Sequence, residues 1–182
     1  MTLLNTVATV ALAVFALFSF LIYWSQLKAL KINERAWVVP IVHAIEATSD
    51  PEKFLITVDL QNNGKTPAWI TGAGSKGQGA TDEKPLPAAP SYDDMKPFSK
   101  RGNLLSPGGS LQQGFPLTKE RLDHVLAGKS KLFIFGYARY RDIYKKRHVV
   151  RYCFEAGKSL NANHPYPLEF YVGGPDSYSE AD

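Results

Sequence analysis

Residues 131–156 read KLFIFGYARYRDIYKKRHVVRYCFEA. Two runs of alternating character, 131–141 and 146–156, flank a short polar loop around Asp142–Lys145. Alternation with period two marks a half-buried strand, and two such runs with a short joint predict an antiparallel hairpin. With five residues in the loop, Arg141 falls opposite Arg147, and Tyr137 opposite Arg151. Leu132, Ile134, Ala138, Tyr140, Val150, Tyr152 and Phe154 then share a face suited to a core. The odd-numbered positions share the other face and gather Arg139, Arg141, Arg147 and Arg151, with Lys145 and Lys146 at the joint. Six basic residues in 13 positions are opposed only by Asp142. Like charges facing one another across a ladder are destabilising unless an anion answers them. Arg139, Arg141, Lys145, Lys146, Arg147 and Arg151 are therefore a candidate contact surface for an anionic lipid or an acidic protein. The competing reading is that the arginines only solubilise an exposed sheet and protect its edges.

The same periodicity extends outward. Residues 53–62 (KFLITVDLQN) place Phe54, Ile56, Val58 and Leu60 on one face. Over 35–46, Trp37, Val39, Ile41 and Ile45 are expected to share a face, with Pro40 marking an edge strand because it cannot donate to a ladder. Asn62–Pro67 reads as a turn, and 68–73 as a short strand. Residues 74–108 are rich in Gly and Pro and predict a long irregular excursion, with one short strand near 92–98. Another strand is expected at 109–117. A helix follows over 119–127, with Thr118 before it, Glu120 early, His124 late and Gly128 just beyond. A last strand spans 168–172, and 174–182 is expected to be a flexible tail. Six to eight short strands with one small helix predict a mainly β chain, an antiparallel immunoglobulin-like β-sandwich over 35–173. A doubly wound fold would need helices between the strands.

Ahead of this domain lies a different material. Met1–Leu27 contains no charged residue, and Leu3–Trp24 is almost wholly apolar. About 20 apolar residues suffice to cross the hydrocarbon core as a helix, so 1–27 is expected to be a transmembrane anchor. A cleaved signal peptide would want a basic leader and a small-residue cleavage site, which this run lacks. Tyr23 and Trp24 form an interfacial aromatic pair, and Lys28, Lys31 and Arg35 follow in a basic juxtamembrane stretch, 28–34 and its border. The positive-inside bias places the amino terminus outside and the β domain in the cytoplasm. If the helix continues past the membrane, those three cations share a face toward anionic headgroups.

Composition bounds the rest. A net charge of +4 is mild and does not by itself indicate a nucleic-acid partner. Cys153 is the single cysteine, so an intrachain disulfide is impossible, and within VVRYCF it reads as a small core residue. His43, His124, His148 and His164 show no metal-ligand spacing. Gly72–Gly77 matches G-x-G-x-x-G, but QGATDEKPLPAAP follows where a dinucleotide site needs a helix, so it is expected to be a flexible glycine loop. No catalytic constellation, metal site or cofactor is expected.

Several short motifs recur together in order: Glu34–Val38, Asn63-Gly64-Lys65-Thr66-Pro67-Ala68, Leu105–Gly108, and Phe135–Asp142 leading into Arg151–Phe154. With the amino-terminal helix they make the chain resemble small bacterial single-pass membrane proteins with an immunoglobulin-like β-sandwich, a group without an assigned activity. The resemblance implies bacterial origin and an inner-membrane location, and it carries no catalytic residues. The resulting expectation is a non-enzymatic, membrane-anchored interaction module. A periplasm-facing, inverted protein of envelope assembly is the alternative, and an enzyme the third.

Overall fold

The computed structural model describes residues 2–43, 45–81, 85–92, 102–158 and 168–181. The chain divides into two compact units, Met1–Arg35 and Ala36–Asp182.

The first unit is one helix, α1 (Thr2–Glu34, 33 residues). At 1.5 Å per residue it is about 50 Å long, more than the roughly 30 Å hydrocarbon core requires. Its span Asn5–Glu34 is long and apolar enough to cross a membrane. From Val7 to Leu27 its large apolar side chains are exposed, as suits a helix surrounded by lipid.

The second unit is two antiparallel sheets. In the first, β3 (Lys53–Asn62) is central. It pairs on one edge with β6 (Ser110–Thr118) and on the other with β1 (Val38–Val42) and β2 (Glu46–Ala47). The second sheet runs β5 (Asn103–Leu105), β4 (Ala68–Ala80), β7 (Lys131–Arg141), β8 (Arg147–Lys158). The outer edge of β8 carries β9 (Leu168–Val172) and β10 (Glu180–Ala181). One apolar core joins the sheets, with Ile56, Val58 and Leu60 from the first and Ile70, Ile134 and Tyr140 from the second. The helix α2 (Lys119–Leu126) has the expected ends: Thr118 Oγ1 accepts from Arg121 N at 3.4 Å, and Gly128 takes φ +69° beyond it.

The predicted hairpin forms in its predicted register, with Arg141 opposite Arg147 and Tyr137 opposite Arg151. The even-numbered residues named above for its inner face all lie in or against the core.

Four expectations are corrected. First, β1 turns its other face inward. Val38, Pro40 and Val42 lie opposite Asn62, Leu60 and Val58, whose side chains are buried, so Ala36 and Val38 are buried while Trp37 and Val39 are exposed. The partner strand's register overrides the apolar count on a short edge strand. Ile45 is buried as expected.

Second, the glycine-rich run is strand, not loop: β4 continues through Gly72, Gly74, Gly77 and Gly79 to Ala80. Its period slips at Thr71, a β-bulge between Ile70 and Gly72, so the inward parity passes from Ile70 to Ala73. Beyond the bulge the strand is crowded at Gly77. A Cβ at Gly77 would sit 2.7 Å from the Phe115 ring, which explains glycine where turn rules alone would read a loop.

Third, the carboxy-terminal segment is docked. A 3-10 turn, Asp176–Tyr178, buries Tyr178 completely. The Tyr178 hydroxyl donates to Pro87 O at 3.0 Å, Ser177 Oγ donates to Ala88 O at 2.6 Å, and β10 pairs with Arg151 and Val150. Fourth, the odd-numbered face of the hairpin is exposed only in part. Phe133, Phe135 and Cys153 form a second apolar cluster with Tyr178 and Ala80, with Leu86 and Tyr92 packed against it. The strand expected near 92–98 falls mostly outside the described residues.

Candidate functional site

The unburied half of the hairpin's outer face holds the charge. Arg141 and Arg147 face each other across the ladder, which places their Cβ atoms about 5 Å apart. Arg139, two residues earlier on the same face, is also exposed, and its guanidinium lies 5.0 Å from the centroid of the Tyr137 ring. That cation–π contact holds one arginine in place without neutralising it. Among the described residues, no ion pair engages Arg139, Arg141, Lys145, Lys146 or Arg147.

A cavity of about 320 Å³ lies among Thr71, Arg139, Arg141, Arg147 and His148. Thr71 is the bulged residue on β4. Its hydroxyl donates to Arg139 O at 3.1 Å, tying the bulge to the strand that carries two of the arginines. Bulges commonly serve to re-aim side chains at a sheet margin. Lys145 and Lys146 stand at the exposed tip of the joint. Arg151 is half-buried and backed by β10, apart from the cavity.

Sequence reasoning treated Asp142 as the one acid opposing the cluster. It is instead buried and committed inward. Its carboxylate accepts from His148 Nε2 at 2.9 Å and from Lys146 N at 2.9 Å. Its own N–H donates to Lys146 O at 3.1 Å, and Lys145 N donates to its carbonyl at 3.0 Å, with Lys145 at φ +63°. His148 is fully buried and stacks on Tyr140 at 5.0 Å. Since Nε2 donates to the carboxylate, Nδ1 is left buried without a hydrogen-bond partner. This pair locks the joint from beneath and leaves the surface arginines without an acid. The available signal was parity, since His148 falls on the core face of a strand between Val150 and the joint.

Cys153 is buried, and burial pushes its thiol up to about 11. It is a core residue, as its sequence context predicts. A second cavity of about 610 Å³ lies among Ala80, Leu86, Lys129, Lys131 and Phe133. Lys131 there is paired with Glu155 at 2.9 Å, and the cavity gathers no set of convergent charged groups. Among the described residues, no three of His, Cys, Asp and Glu cluster as a metal site would require.

On α1, Tyr23, Trp24, Lys28 and Lys31 all lie within the helix, and Arg35 follows its end. Trp24 stacks with Phe20 at 6.1 Å, and Lys28 Nζ lies 5.9 Å from the Trp24 ring centroid. An aromatic ring beside a cation one turn on is the usual furniture of a membrane–water boundary.

No protein-family model and no curated protein matches the chain. Among solved structures it is similar to the ApaA protein from Bordetella pertussis, at 11% identity and TM-score 0.42, over 65% of this chain and 92% of that one. It is also similar to a protein from Archaeoglobus fulgidus, at 11% identity and TM-score 0.35, over 76% of this chain and 98% of that one. Likenesses at this level carry no argument about fold or function.

Proposed function

We propose that this chain is a non-enzymatic, single-pass inner-membrane protein whose cytoplasmic β domain is an interaction module for anionic surfaces. The observation that carries the reading is the exposed hairpin end, where Arg139, Arg141, Lys145, Lys146 and Arg147 have no acidic partner among the described residues. Holding like charges together without counter-charges costs stability. That cost is sensible where a negative lipid or protein surface supplies the missing charge. Tethering supports it further: α1 ends at Glu34 and the second unit begins at Ala36, so the chain between them is very short. A tethered domain meets a membrane-borne partner at high effective concentration, and a weak site then suffices.

The immunoglobulin-like reading draws support from strand order. Labelled by pairing, β1, β3 and β6 take the places of strands A, B and E, and β4, β7 and β8 those of C, F and G. The short β5 beside β4 takes an added edge position next to C. Orientation rests on Lys28, Lys31 and Arg35 flanking a span whose residues 1–27 have no basic side chain. Carboxy-terminal fusions to a reporter that fluoresces only inside the cell are expected to be bright. Activity of a reporter that works only outside would overturn the orientation and favour a periplasmic role.

For the surface itself, full-length protein in phosphatidylcholine nanodiscs is expected to be captured by phosphatidylglycerol vesicles in a salt-sensitive manner. Each cation near an anionic membrane contributes about 1 kcal/mol. Arg139→Ala combined with Arg141→Ala should therefore weaken capture on the order of thirtyfold. Unchanged capture by the double variant would remove the hairpin from the interaction.

A further inference from the structure

We infer that the cavity at the hairpin end is a binding site for a phosphate monoester group, held chiefly by Arg139, Arg141 and Arg147. The inference rests on the reading of the hairpin as an anion-facing surface, and it narrows that reading to one discrete site. A flat basic patch would serve any negative surface equally. Here three arginines border a cavity of about 320 Å³, ample for a phosphate and part of its substituent.

The charge balance selects the ligand. Arg141 and Arg147 are cross-strand partners, and Arg139 is the next residue along the same face of β7. A carboxylate offers one charge and two oxygens to three cations. A phosphate monoester carries a charge of about −1.5 to −2 at neutral pH and three terminal oxygens. Arginine's planar fork pairs with such oxygens bidentately, which lysine cannot do. The arginines are also prepared for the task. The Tyr137 ring steadies Arg139, the Thr71 hydroxyl fixes the Arg139 backbone, and the Asp142–His148 pair fixes the joint from which Arg147 starts β8. Asp142, the one acid in this stretch of chain, is withdrawn into that pair and does not compete for the site. His148 also lines the cavity, with its Nε2 committed to Asp142 beneath the arginines.

The test is calorimetric titration of the full-length protein, in phosphatidylcholine nanodiscs, with inorganic phosphate against chloride at matched ionic strength. Saturable binding of one phosphate per chain is expected. Arg141→Gln combined with Arg147→Gln should weaken it at least about tenfold, the loss expected when a charge-assisted hydrogen bond is removed. Lys65→Gln combined with Lys129→Gln removes the same charge from exposed positions elsewhere and should leave the affinity unchanged. Arg141→Lys combined with Arg147→Lys keeps the charge but not the fork, and should bind more weakly than wild type. A heat indistinguishable from chloride, or equal weakening by the two glutamine pairs, would overturn the site. Salt-sensitive vesicle capture persisting in that case would leave the broader surface reading standing. Adding phosphatidic acid to the discs separates the sources. Loss of phosphate binding assigns the monoester to a lipid headgroup, and undiminished binding assigns it to a soluble ligand.

Discussion

Asn62→Asp is expected to unfold the β domain at a far lower urea concentration than wild type, although the two side chains have nearly the same shape. Asn62 is fully buried at the end of β3 and serves four backbone groups. Its Oδ1 accepts from Trp37 N at 3.2 Å and Gly64 N at 3.1 Å. Its Nδ2 donates to Thr66 O at 2.8 Å and Leu105 O at 3.1 Å. Two N–H groups on one side and two carbonyls on the other leave only one sensible orientation of the amide. The side chain thereby ties β1, the 62–67 turn and β5 to a single point. A carboxylate keeps the two accepted bonds and turns a second oxygen toward two carbonyl oxygens, without solvent. An uncompensated buried charge costs on the order of 3–5 kcal/mol, a large part of the 5–15 kcal/mol that stabilises a typical domain.

The sign of the pH dependence is specific to this arrangement. In acid the introduced carboxyl keeps its proton and donates to one of the carbonyls. The folded state therefore holds that proton more tightly than the unfolded chain does, and stability falls as pH rises through the window between them. Urea unfolding of the full-length protein in detergent, followed by near-ultraviolet circular dichroism, is expected to show a deficit that grows from acid to neutral pH. A deficit independent of pH would mean that the carboxylate reaches water and that the amide bracket is not closed.

Asn62–Pro67 reads as a turn from its Asn, Gly and Pro content, but turn chemistry does not single out Asn62, whose side chain makes all four bonds; parity with Leu60 places it on the core face. The hairpin shows the other side of the same logic. There the period of two holds without interruption over both strands, so register, core face and the convergence of Arg139, Arg141 and Arg147 were all legible. Around Thr71 it was not, because a bulge inserts a residue and reverses parity, and a reader who follows alternation stops at Ala73. The cover over Phe133, Phe135 and Cys153 was hidden for a different reason. It is supplied by 85–92 (PLPAAPSY) and 176–178 (DSY), which are too short or too rich in proline to show a period, and whose packing depends on partners distant along the chain. Parity places His148 on the core face, but its pairing with Asp142 depends on a joint that folds back on itself, which no period reports.

Gly136→Ala is the second substitution expected to have a large effect, and it tests why glycine stands in the best strand of the chain. Gly136 lies between Ser75 on β4 and Tyr152 on β8, on the inward face. The Tyr152 ring leans across the empty position so that its hydroxyl meets Ser75 Oγ at 2.6 Å, and Ser75 Oγ donates to Gln113 Oε1 at 2.6 Å on the opposite sheet. A Cβ at 136 would lie 2.5 Å from the Tyr152 hydroxyl and 2.7 Å from Cζ, and it would overlap Gly74 O. The ring must then move, which breaks a polar chain linking the sheets, while the backbone contact remains. Overpacking costs about 1–3 kcal/mol, and a buried hydroxyl left unpaired costs a similar amount, so a loss of about 3 kcal/mol or more is expected. Burial already raises the Tyr152 pKa despite the Ser75 bond, so ionisation offers no relief. Gly79→Ala is the control. It lies on the same glycine-rich β4, where the nearest atom to an added Cβ is Lys131 O at 4.0 Å, and its effect should stay within about 0.5 kcal/mol. Combining Gly136→Ala with Tyr152→Phe removes the hydroxyl that would lie 2.5 Å from the added Cβ, and should cost less than the sum of the single changes. Simple additivity would mean that the tyrosine does not pass over the glycine, and that the strand needs its glycine only for the approach of Gly74.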